Sequence, residues 1–500
     1  MTEFGITGKT ASLMCGALLL AVPEPALADR LQDALEAAYA NNPTLMAQRA
    51  KVRGADENVP LAKAAGRPSV DGTVTYQENL LKGKPAPGGF FSDPDRQVVA
   101  QANVNVPLIS FGAVRESVRA AEERVNASQF GLRRTESDLF TAVVGAYMDV
   151  LRDEAIVQHN QRNHEVMGFT LSETRQRRDA GNRGPTDVAQ AEARVALAES
   201  QLESARAELI GSRENYLRLV GRAPGQLEPP PPLPALPQDV SAAVDIGLAN
   251  NPELLSARSE RLASAHDVRA AEGQRYPRVS GTAGLSQYDY LGSLRANTGP
   301  RNSDQGTTAF VGMRVDVPIF QGGRLSALAR QAAARQDQAS EEVIAAERDV
   351  VANIRGAYAT WRSAERVIES AQRGVQANTR ALEGLREEVS AGLRPLLDRL
   401  NAEQELLNAE VTLVTAQRDA YVAGFALLSA MGRAEARDLN FQSSVLYDPN
   451  VHYQAVKDRM FDWRTAPEPV AISTSTVGSP PQDATVAPSG QPPVPQPGSY

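Results

Sequence analysis

The titratable residues with the most suggestive spacing are two aspartates that occupy equivalent places in the chain. Asp187 and Asp398 each follow a glycine by six residues, Gly181 in the first case and Gly392 in the second. A carboxylate in the first turn of a helix accepts hydrogen bonds from free N–H groups and interacts favourably with the helix dipole. Glycine suits the end of a preceding helix because it adopts a positive φ. Helix capping therefore explains all four residues, and it leaves room for a partner that docks onto the same turns.

The remaining residues give no support for catalysis or metal binding. The 500-residue chain has four histidines and one cysteine, and it lacks a His-Glu-x-x-His motif, a cysteine cluster and a phosphate-binding loop. We predict that the protein is not an enzyme and has no catalytic residue, metal or cofactor. A net charge of −8 argues against nucleic acid as the main partner, because phosphate binding needs a basic face. The histidines are predicted to be surface residues: His159, His164, His266 and His452.

The chain segments that carry these aspartates occur twice, because landmarks recur about 211 residues apart. Val106-Pro107 and Ala146-Tyr147 are answered by Val317-Pro318 and Ala357-Tyr358. Matched landmarks throughout both halves predict one interlocked structure rather than several independent domains. The predicted divisions are a first repeat at 29–227, a proline-rich linker at 228–239 and a second repeat at 240–441.

The two ends of the chain differ in composition from the repeats. The apolar run at 11–22 and the Ala26-Leu27-Ala28 pattern predict a signal peptide at 1–28, cleaved after Ala28. A short buried helix or anchor is the alternative, although about a dozen apolar residues are too few to span a bilayer. A C-terminal extension at 442–471 precedes a tail at 472–500, which is rich in Pro, Ser, Gly and Gln and is predicted to be disordered.

Apolar residues at seven-residue spacing predict two very long helices, at about 113–180 and 325–390. Each would be about 100 Å long at 1.5 Å per residue. After a turn, a half-length helix follows, and another helix precedes the strands at 31–65 and at 240–272. Two half-length helices stacked end to end would match one long helix. A free coiled coil is the alternative reading of these heptads.

Polar and apolar residues alternate at 69–77, 97–106, 279–285 and 309–317, which predicts four strands with one apolar face. A two-sheet sandwich and a transmembrane barrel both fit this pattern. The barrel is favoured because nothing else in the chain supplies a second sheet. Four strands cannot close a barrel, which needs about eight, so insertion requires a dimer or a trimer.

The duplicated motifs, taken in order, resemble the TolC family of outer-membrane channel proteins over residues 31–441. The resemblance implies a mostly α fold with a transmembrane β part. In such a fold, duplicated long-helix hairpins form an α-barrel, and four strands per protomer contribute to a trimeric twelve-stranded outer-membrane β-barrel. The motifs that carry it are Asn-Asn-Pro at 41–43 and 250–252, Val-Pro followed by Gly at 106–112 and 317–323, Ala-Tyr at 146–147 and 357–358, and Gly-to-Asp turns at 181–187 and 392–398.

The same resemblance implies a function as an exit duct in the outer membrane, with a long periplasmic extension. The expected partners are two further copies of the chain, outer-membrane lipid, a periplasmic adaptor, and an inner-membrane ABC or proton-driven pump. The residues at 147–152 and 186–193 are similar to members that serve type I protein secretion. Drug-efflux members share the fold and are the alternative. A periplasmic coiled-coil scaffold that never inserts is a hypothesis of a different class.

The resemblance also implies roles for residues at the two helical turns, which form the periplasmic tip in the family. Asp398 matches an acidic position of the pore constriction, and Asn401 replaces the second one. Arg394 matches an arginine that holds neighbouring helix pairs closed, whereas Val389 replaces the accompanying tyrosine. The corresponding positions of the first half are Asp187 and Gln190. The residues expected to dock the adaptor are Gly181, Asn182, Arg183, Gly392 and Leu393.

Two prolines mark the predicted passage from strand to helix at the membrane boundary. Pro107 and Pro318 each follow the last alternating residue of a strand. Proline cannot donate to a strand ladder and fixes φ, so we expect the chain to change direction there. Arg314 and Asp316 are expected to face the lumen near the same boundary.

Overall fold

The computed structural model describes residues 29–81, 94–181, 184–293, 304–439, 441, 446–463, 468 and 470–486. The predicted signal peptide and residues 487–500 of the predicted tail lie outside these ranges. Within this part of the chain, none of the helices combines the length and the apolarity that crossing a membrane requires.

The two repeats have the same order of helices and strands. The first contains α1 (Leu31–Asn41), α2 (Pro43–Asp56), α3 (Asn58–Ala64), β1 (Ser69–Glu78), β2 (Arg96–Ile109), α4 (Ala113–Asp179) and α5 (Pro185–Val220). The second contains α6 (Val240–Asn250), α7 (Pro252–Gly273), β3 (Arg278–Asp289), β4 (Gln305–Asp316), α8 (Arg324–Ser390) and α9 (Leu396–Ala430), and a short α10 (Asn450–Val456) follows. The long helices α4 and α8 have 67 residues each, as the heptad pattern predicted.

The helix at the start of each repeat is interrupted, where the sequence predicted one continuous helix. The first is divided into α1, α2 and α3, and the second into α6 and α7. Pro43 and Pro252 are the first residues of α2 and α7. Proline has no N–H to donate to the preceding turn, so it begins a new helix there. The apolar spacing continues across the break, which explains why the pattern suggested one helix.

The asparagine before each proline joins two helices. Asn42 Oδ1 accepts hydrogen bonds from the N–H groups of Thr44 (2.9 Å) and Leu45 (3.4 Å), which caps α2. Its Nδ2 donates to the carbonyl of Leu219, in the last turn of α5, at 3.0 Å. The end of α5 therefore meets the start of α2, which is the end-to-end stacking that the helix lengths predicted.

The second repeat uses the same arrangement. Asn251 Oδ1 accepts from the N–H groups of Glu253 (3.0 Å) and Leu254 (3.3 Å), and Nδ2 donates to the carbonyl of Ala430 at 2.9 Å. Gly432 ends this junction with a φ of +71°, and a Cβ there would lie 2.5 Å from the Asn250 carbonyl oxygen. A side chain at this position would push the end of α9 away from the end of α6.

The largest apolar core surrounds these junctions, and tyrosine hydroxyls fasten the linker to it. Tyr147 donates to the carbonyl oxygens of Glu228 (2.6 Å) and Asp29 (2.9 Å), and Tyr421 donates to that of Pro231 (3.0 Å). Burial raises the pKa of Tyr421 to about 12. Residues 221–239 are all described and contain no helix or named strand, in keeping with the extended linker that the prolines predicted.

The C-terminal residues 470–486 follow a defined course along α5, where the sequence predicted disorder from Ile472 onward. Arg213 donates to the carbonyl oxygens of Asp483 (2.7 Å) and Thr485 (3.1 Å). The N–H of Gln482 donates to Glu214 at 3.0 Å. Ala484 and Val486 pack against the core. This segment binds mainly through backbone groups, the Asp483 carboxylate and two apolar side chains, so its composition alone indicated a disordered chain.

The four strands form one antiparallel sheet in the order β1-β2-β3-β4. Register pairs such as Val74 with Ala100 and Ala283 with Val311 place apolar residues on one face. The opposite face carries the polar residues of the alternation. The apolar face consists of Val70, Gly72, Val74, Tyr76, Val98, Ala100, Ala102, Val104, Val106, Val279, Gly281, Ala283, Leu285, Ala309, Val311, Met313 and Val315.

Replacing Asn42 or Asn251 with alanine should lower the free energy of unfolding by about 1–2 kcal/mol at each site, because a helix cap and a buried amide donor are lost. Urea unfolding followed by far-UV circular dichroism measures the loss. Asn250→Ala is the matched control, since this amide donates within its own helix, to Ile246 at 2.9 Å. Equal losses for Asn250 and Asn251 would contradict the junction role.

Candidate functional site

Glycines, rather than the predicted prolines, lie where the chain changes direction from strand to helix. Pro107 lies inside β2 beside a register shift, opposite Ser280, and the strand continues to Ile109. Pro318 lies two residues beyond the end of β4. The helices start after Gly112 and Gly323, whose φ values are +86° and +82°. Only glycine adopts this conformation without strain, so these residues set the direction of α4 and α8.

A recess of about 730 Å³ lies beside the sheet, at the end from which α4 departs. Arg314 and Asp316 line it, and Arg278 pairs in register with Asp316. Asn103 and Asn105 line it from β2. The two residues expected at the lumen boundary therefore lie together on the polar face, opposite the apolar face of the same strands.

The opposite ends of the long helices form the tip, which we define as residues 174–190 and 385–401. Gly181 and Gly392 turn the chain with φ values of +79° and +78°, as expected for helix ends. Gly392 lies next to Leu393, whose large apolar side chain is exposed. Asn182 and Arg183, which were expected to belong to the docking turn, lie outside the described residues.

Asp398 lies in the first turn of α9, close to Arg394. Arg394 Nη1 is 3.4 Å from the Asp398 carboxylate, and Arg394 Nε is 3.2 Å from that of Glu388, at the end of α8. In the structure, Arg394 thus links the two helices of one hairpin. Asp187 has the equivalent place in the first turn of α5, and Gln190 follows it by three residues.

Two side chains of α9, Asn401 and Arg399, make contacts that sequence reasoning missed, and these contacts join the hairpin α4–α5 to the hairpin α8–α9 near the tip. Asn401 Oδ1 accepts a hydrogen bond from Arg194, on α5, at 2.6 Å. Arg399 donates to Thr170 at 3.2 Å and lies 3.5 Å from the Glu173 carboxylate, both on α4. Arg399 follows Asp398 directly, and its side chain is mostly buried. Only the packing of the two hairpins distinguishes it from the neighbouring surface arginines.

A small apolar cluster lies directly behind these contacts. Val389, at the end of α8, is buried against Leu396 and Leu400. Met167 and Ala198 complete the cluster from α4 and α5. The contact of Val389 with its neighbours is therefore purely apolar.

A chain of polar contacts connects α9, α4 and α5 nearer the middle of the molecule. Arg418, on α9, donates to Asp149 on α4 at 2.9 Å, and Arg152 lies 3.0 Å from the same carboxylate. Arg152 also pairs with the buried Asp153 at 2.7 Å, and Asp153 accepts from Ser212 on α5. The motif at 147–152 therefore combines a linker contact with a link between both hairpins.

Three histidines pair with carboxylates, which differs from the prediction that all are surface residues. The Nδ1 atoms of His159, His266 and His452 lie 2.7, 2.7 and 2.8 Å from Glu410, Glu116 and Asp56, respectively. His266 lowers the pKa of Glu116, whereas burial raises the pKa of Asp56. Each pair joins different helices. Among the described residues, no group of His, Cys, Asp and Glu could hold a metal ion.

Comparison with known proteins reproduces the duplication. A family model described as "Outer membrane efflux protein" matches residues 34–222 and again residues 244–433. The chain belongs to this family. Its members are channel proteins rather than enzymes. Membership places the protein in the outer membrane, with its helices extending into the periplasm, and confirms the predicted resemblance.

Several relatives are similar along nearly their whole length. The outer membrane efflux protein BepC of Brucella suis is 35% identical, and the match covers 91% of this chain and 96% of BepC. The alkaline protease secretion protein AprF of Pseudomonas aeruginosa is 27% identical, over 85% of this chain and 89% of AprF. The outer membrane protein TolC of Vibrio cholerae is 23% identical, and the match covers 86% of this chain and 97% of that protein.

Solved structures agree with the fold. The outer membrane protein VceC of Vibrio cholerae superposes with a TM-score of 0.68 at 22% identity, covering 80% of this chain and 96% of VceC. The outer membrane channel CmeC of Campylobacter jejuni superposes with a TM-score of 0.70 at 17% identity, covering 86% of this chain and 89% of CmeC. These similarities confirm the predicted fold class of long helical hairpins with a membrane β part.

Replacing Arg399 with alanine should loosen the packing of one hairpin against the other, because it removes the contacts with Thr170 and Glu173. We expect faster proteolysis within the tip and a higher resting conductance in planar bilayers. Arg175→Ala removes the same charge but breaks only a link inside one hairpin, to Glu192 at 2.7 Å. Equal effects of the two substitutions would contradict a special role for Arg399.

Proposed function

We propose that the protein is a homotrimeric exit duct through which cargo leaves the periplasm. The observation that carries the proposal is the four-stranded sheet, in which β1 and β4 are edge strands within the described part of the protomer. Edge strands leave N–H and C=O groups unpaired, and unpaired backbone groups are very costly in a bilayer. Three copies supply twelve strands, the number that the family resemblance implies.

The long helices support the same assembly. Helix α4 has 21 buried residues, whereas α8, of equal length, has only seven. Exposed apolar residues along α8 include Ile344 and Val367. A helix of 67 residues with one exposed side is best stabilised by a neighbouring copy of the chain. In the trimer, the exposed side of α8 packs against an adjacent protomer and completes the helical wall.

The cargo we favour is a protein exported by type I secretion, with the tip docked to a periplasmic adaptor and an inner-membrane ABC pump. The similarity to AprF, named for alkaline protease secretion, supports this assignment. The exposed Leu393 beside Gly392 offers the adaptor an apolar contact at the outermost turn. Energy comes from the pump, since channel proteins of this kind conduct passively.

Small-molecule efflux, with an adaptor and an ABC or proton-driven pump, is the second candidate. It is favoured by the higher identity to BepC, which is named an efflux protein. A scaffold that never inserts into the membrane is disfavoured, because it would leave the whole apolar face of the sheet in water. Val74 and Val311 on this face are exposed in the protomer.

Deleting the gene and restoring it on a plasmid distinguishes the two cargoes. Secretion predicts that specific proteins disappear from the culture medium while drug susceptibility is unchanged. Efflux predicts increased susceptibility to small toxic compounds with an unchanged secreted proteome. Heat-modifiable trimers in outer-membrane fractions test the assembly, and a soluble periplasmic product would contradict the duct itself.

We further propose that Asp398 contributes to a charged ring at the pore constriction, with Asn401, Arg394, Asp187 and Gln190 nearby. Asp398 alone contributes three negative charges to the ring of a trimer. Asp398→Ala should reduce cation selectivity and block by divalent cations in planar bilayers, because this ring attracts cations. Glu36→Ala, on α1, removes the same charge far from the tip and serves as the control. Unchanged selectivity for Asp398→Ala would contradict its pore role.

A further inference from the structure

We propose that residues 460–463, within the C-terminal extension, form an anchor at the membrane interface. Phe461 and Trp463 insert among phospholipids on the periplasmic side of the outer membrane. The inference rests on insertion of the sheet, which belongs to the proposed function. It adds a contact with lipid that neither the sheet nor the helical hairpins provide.

The extension is held against the first repeat as it runs toward the sheet. The N–H of Tyr447 donates to the Tyr39 hydroxyl at 2.9 Å. The Arg49 guanidinium lies over both of these rings, 4.3 and 4.8 Å from their centroids. Farther along, His452 pairs with the fully buried Asp56, at the end of α2. These contacts place α10 beside α2 and direct the following residues toward β1.

The contacts directly before residues 460–463 lie near the periplasmic end of the sheet. Lys63 pairs with Asp458 at 2.8 Å, and Arg67 donates to the Arg459 carbonyl at 2.6 Å. Arg67 precedes the first residue of β1 by two positions. Four further residues lead to Trp463 and reach at most about 14 Å. Trp463 is therefore restricted to the vicinity of the membrane boundary.

The side chains of residues 460, 461 and 463 are large, apolar and exposed. Phe461 is 88% exposed, Trp463 is 97% exposed, and Met460 is also exposed. Tryptophan and other amphipathic aromatics concentrate where the acyl chains meet the headgroups. Lys457 and Arg459 are balanced by Asp458 and Asp462, so the anchor depends on its apolar side chains and not on a net charge.

Exposed aromatic residues already mark the other strands at this level. Phe111 follows β2, Tyr276 precedes β3 and Phe320 follows β4, and all three are exposed. Phe111 and Tyr276 stack with their ring centroids 5.8 Å apart. The chain enters β1 through Arg67 and Pro68, which contribute no aromatic ring. The extension supplies the missing aromatic group beside β1 and thereby continues the row.

Tryptophan fluorescence tests the anchor in the full-length protein, because the chain has only two tryptophans. Trp361→Phe leaves Trp463 as the sole reporter. The protein is reconstituted in vesicles of phosphatidylethanolamine and phosphatidylglycerol, with or without bromine on the acyl chains. We expect a blue-shifted Trp463 emission, a loss of emission with brominated lipid and little quenching by aqueous iodide.

Trp463→Phe is the matched control, since Trp361 packs against Tyr358 in the helical region, with ring centroids 5.7 Å apart. Brominated lipid should leave Trp361 unquenched. The difference between the unaltered protein and Trp463→Phe reports on Trp463 even if Trp361→Phe does not fold.

Strong iodide quenching of Trp463 without bromine quenching would mean exposure to water and would overturn the anchor. Protection from both quenchers would mean burial against protein, including a neighbouring copy, and would overturn it as well. Conductance of the same vesicles separates this result from the proposed duct. Conductance without bromine quenching rejects the anchor alone, whereas absent conductance counts against the duct.

Discussion

The architecture depends on joining the ends of half-length helices. A helix end leaves up to four backbone groups without partners, and two ends that meet inside a wall would bury all of them. Asn42 and Asn251 supply partners for part of these groups at both junctions, since one side chain accepts from the starting helix and donates to the ending one. The continuous helices α4 and α8 can therefore lie beside stacked pairs of similar length, and the strands and the tip are held at opposite ends.

The two repeats share a backbone plan but differ in their environment. Tyr147 and Tyr358 occupy matched positions, and each donates to a linker carbonyl, Glu228 for one and Gln238 for the other. Around them, α4 is largely buried by the rest of the protomer, while α8 remains largely exposed. Duplication thus supplied two copies of one scaffold, and later changes assigned one long helix to the interior of the protomer and the other to its exterior.

Much of the fold was predictable because its periodicities are long and regular. Heptads defined α4 and α8, two-residue alternation defined the four strands, and Gly181 and Gly392 marked the turns. Contacts between elements were not predictable in the same way. Arg399 resembles any helical arginine until the hairpins are placed together, and His452 gives no sign of its partner Asp56, which lies 396 residues away. The breaks at Asn42 and Asn251 were missed because apolar spacing continues through them.

The tyrosine contacts with the linker also have a mechanical consequence. They bind both repeats to the linker in the middle of the molecule. The helix segments between these contacts and the tip are long and rigid, so they would pivot about the linker contacts. From Tyr147 to Gly181 this part of α4 is about 50 Å long at 1.5 Å per residue. A tilt of about 5° about the linker contacts would displace the tip by about 4 Å, because a rigid helix transmits tilt over its whole length. A tilt of this size about the tyrosine contacts would therefore move the tip by about the width of an ion.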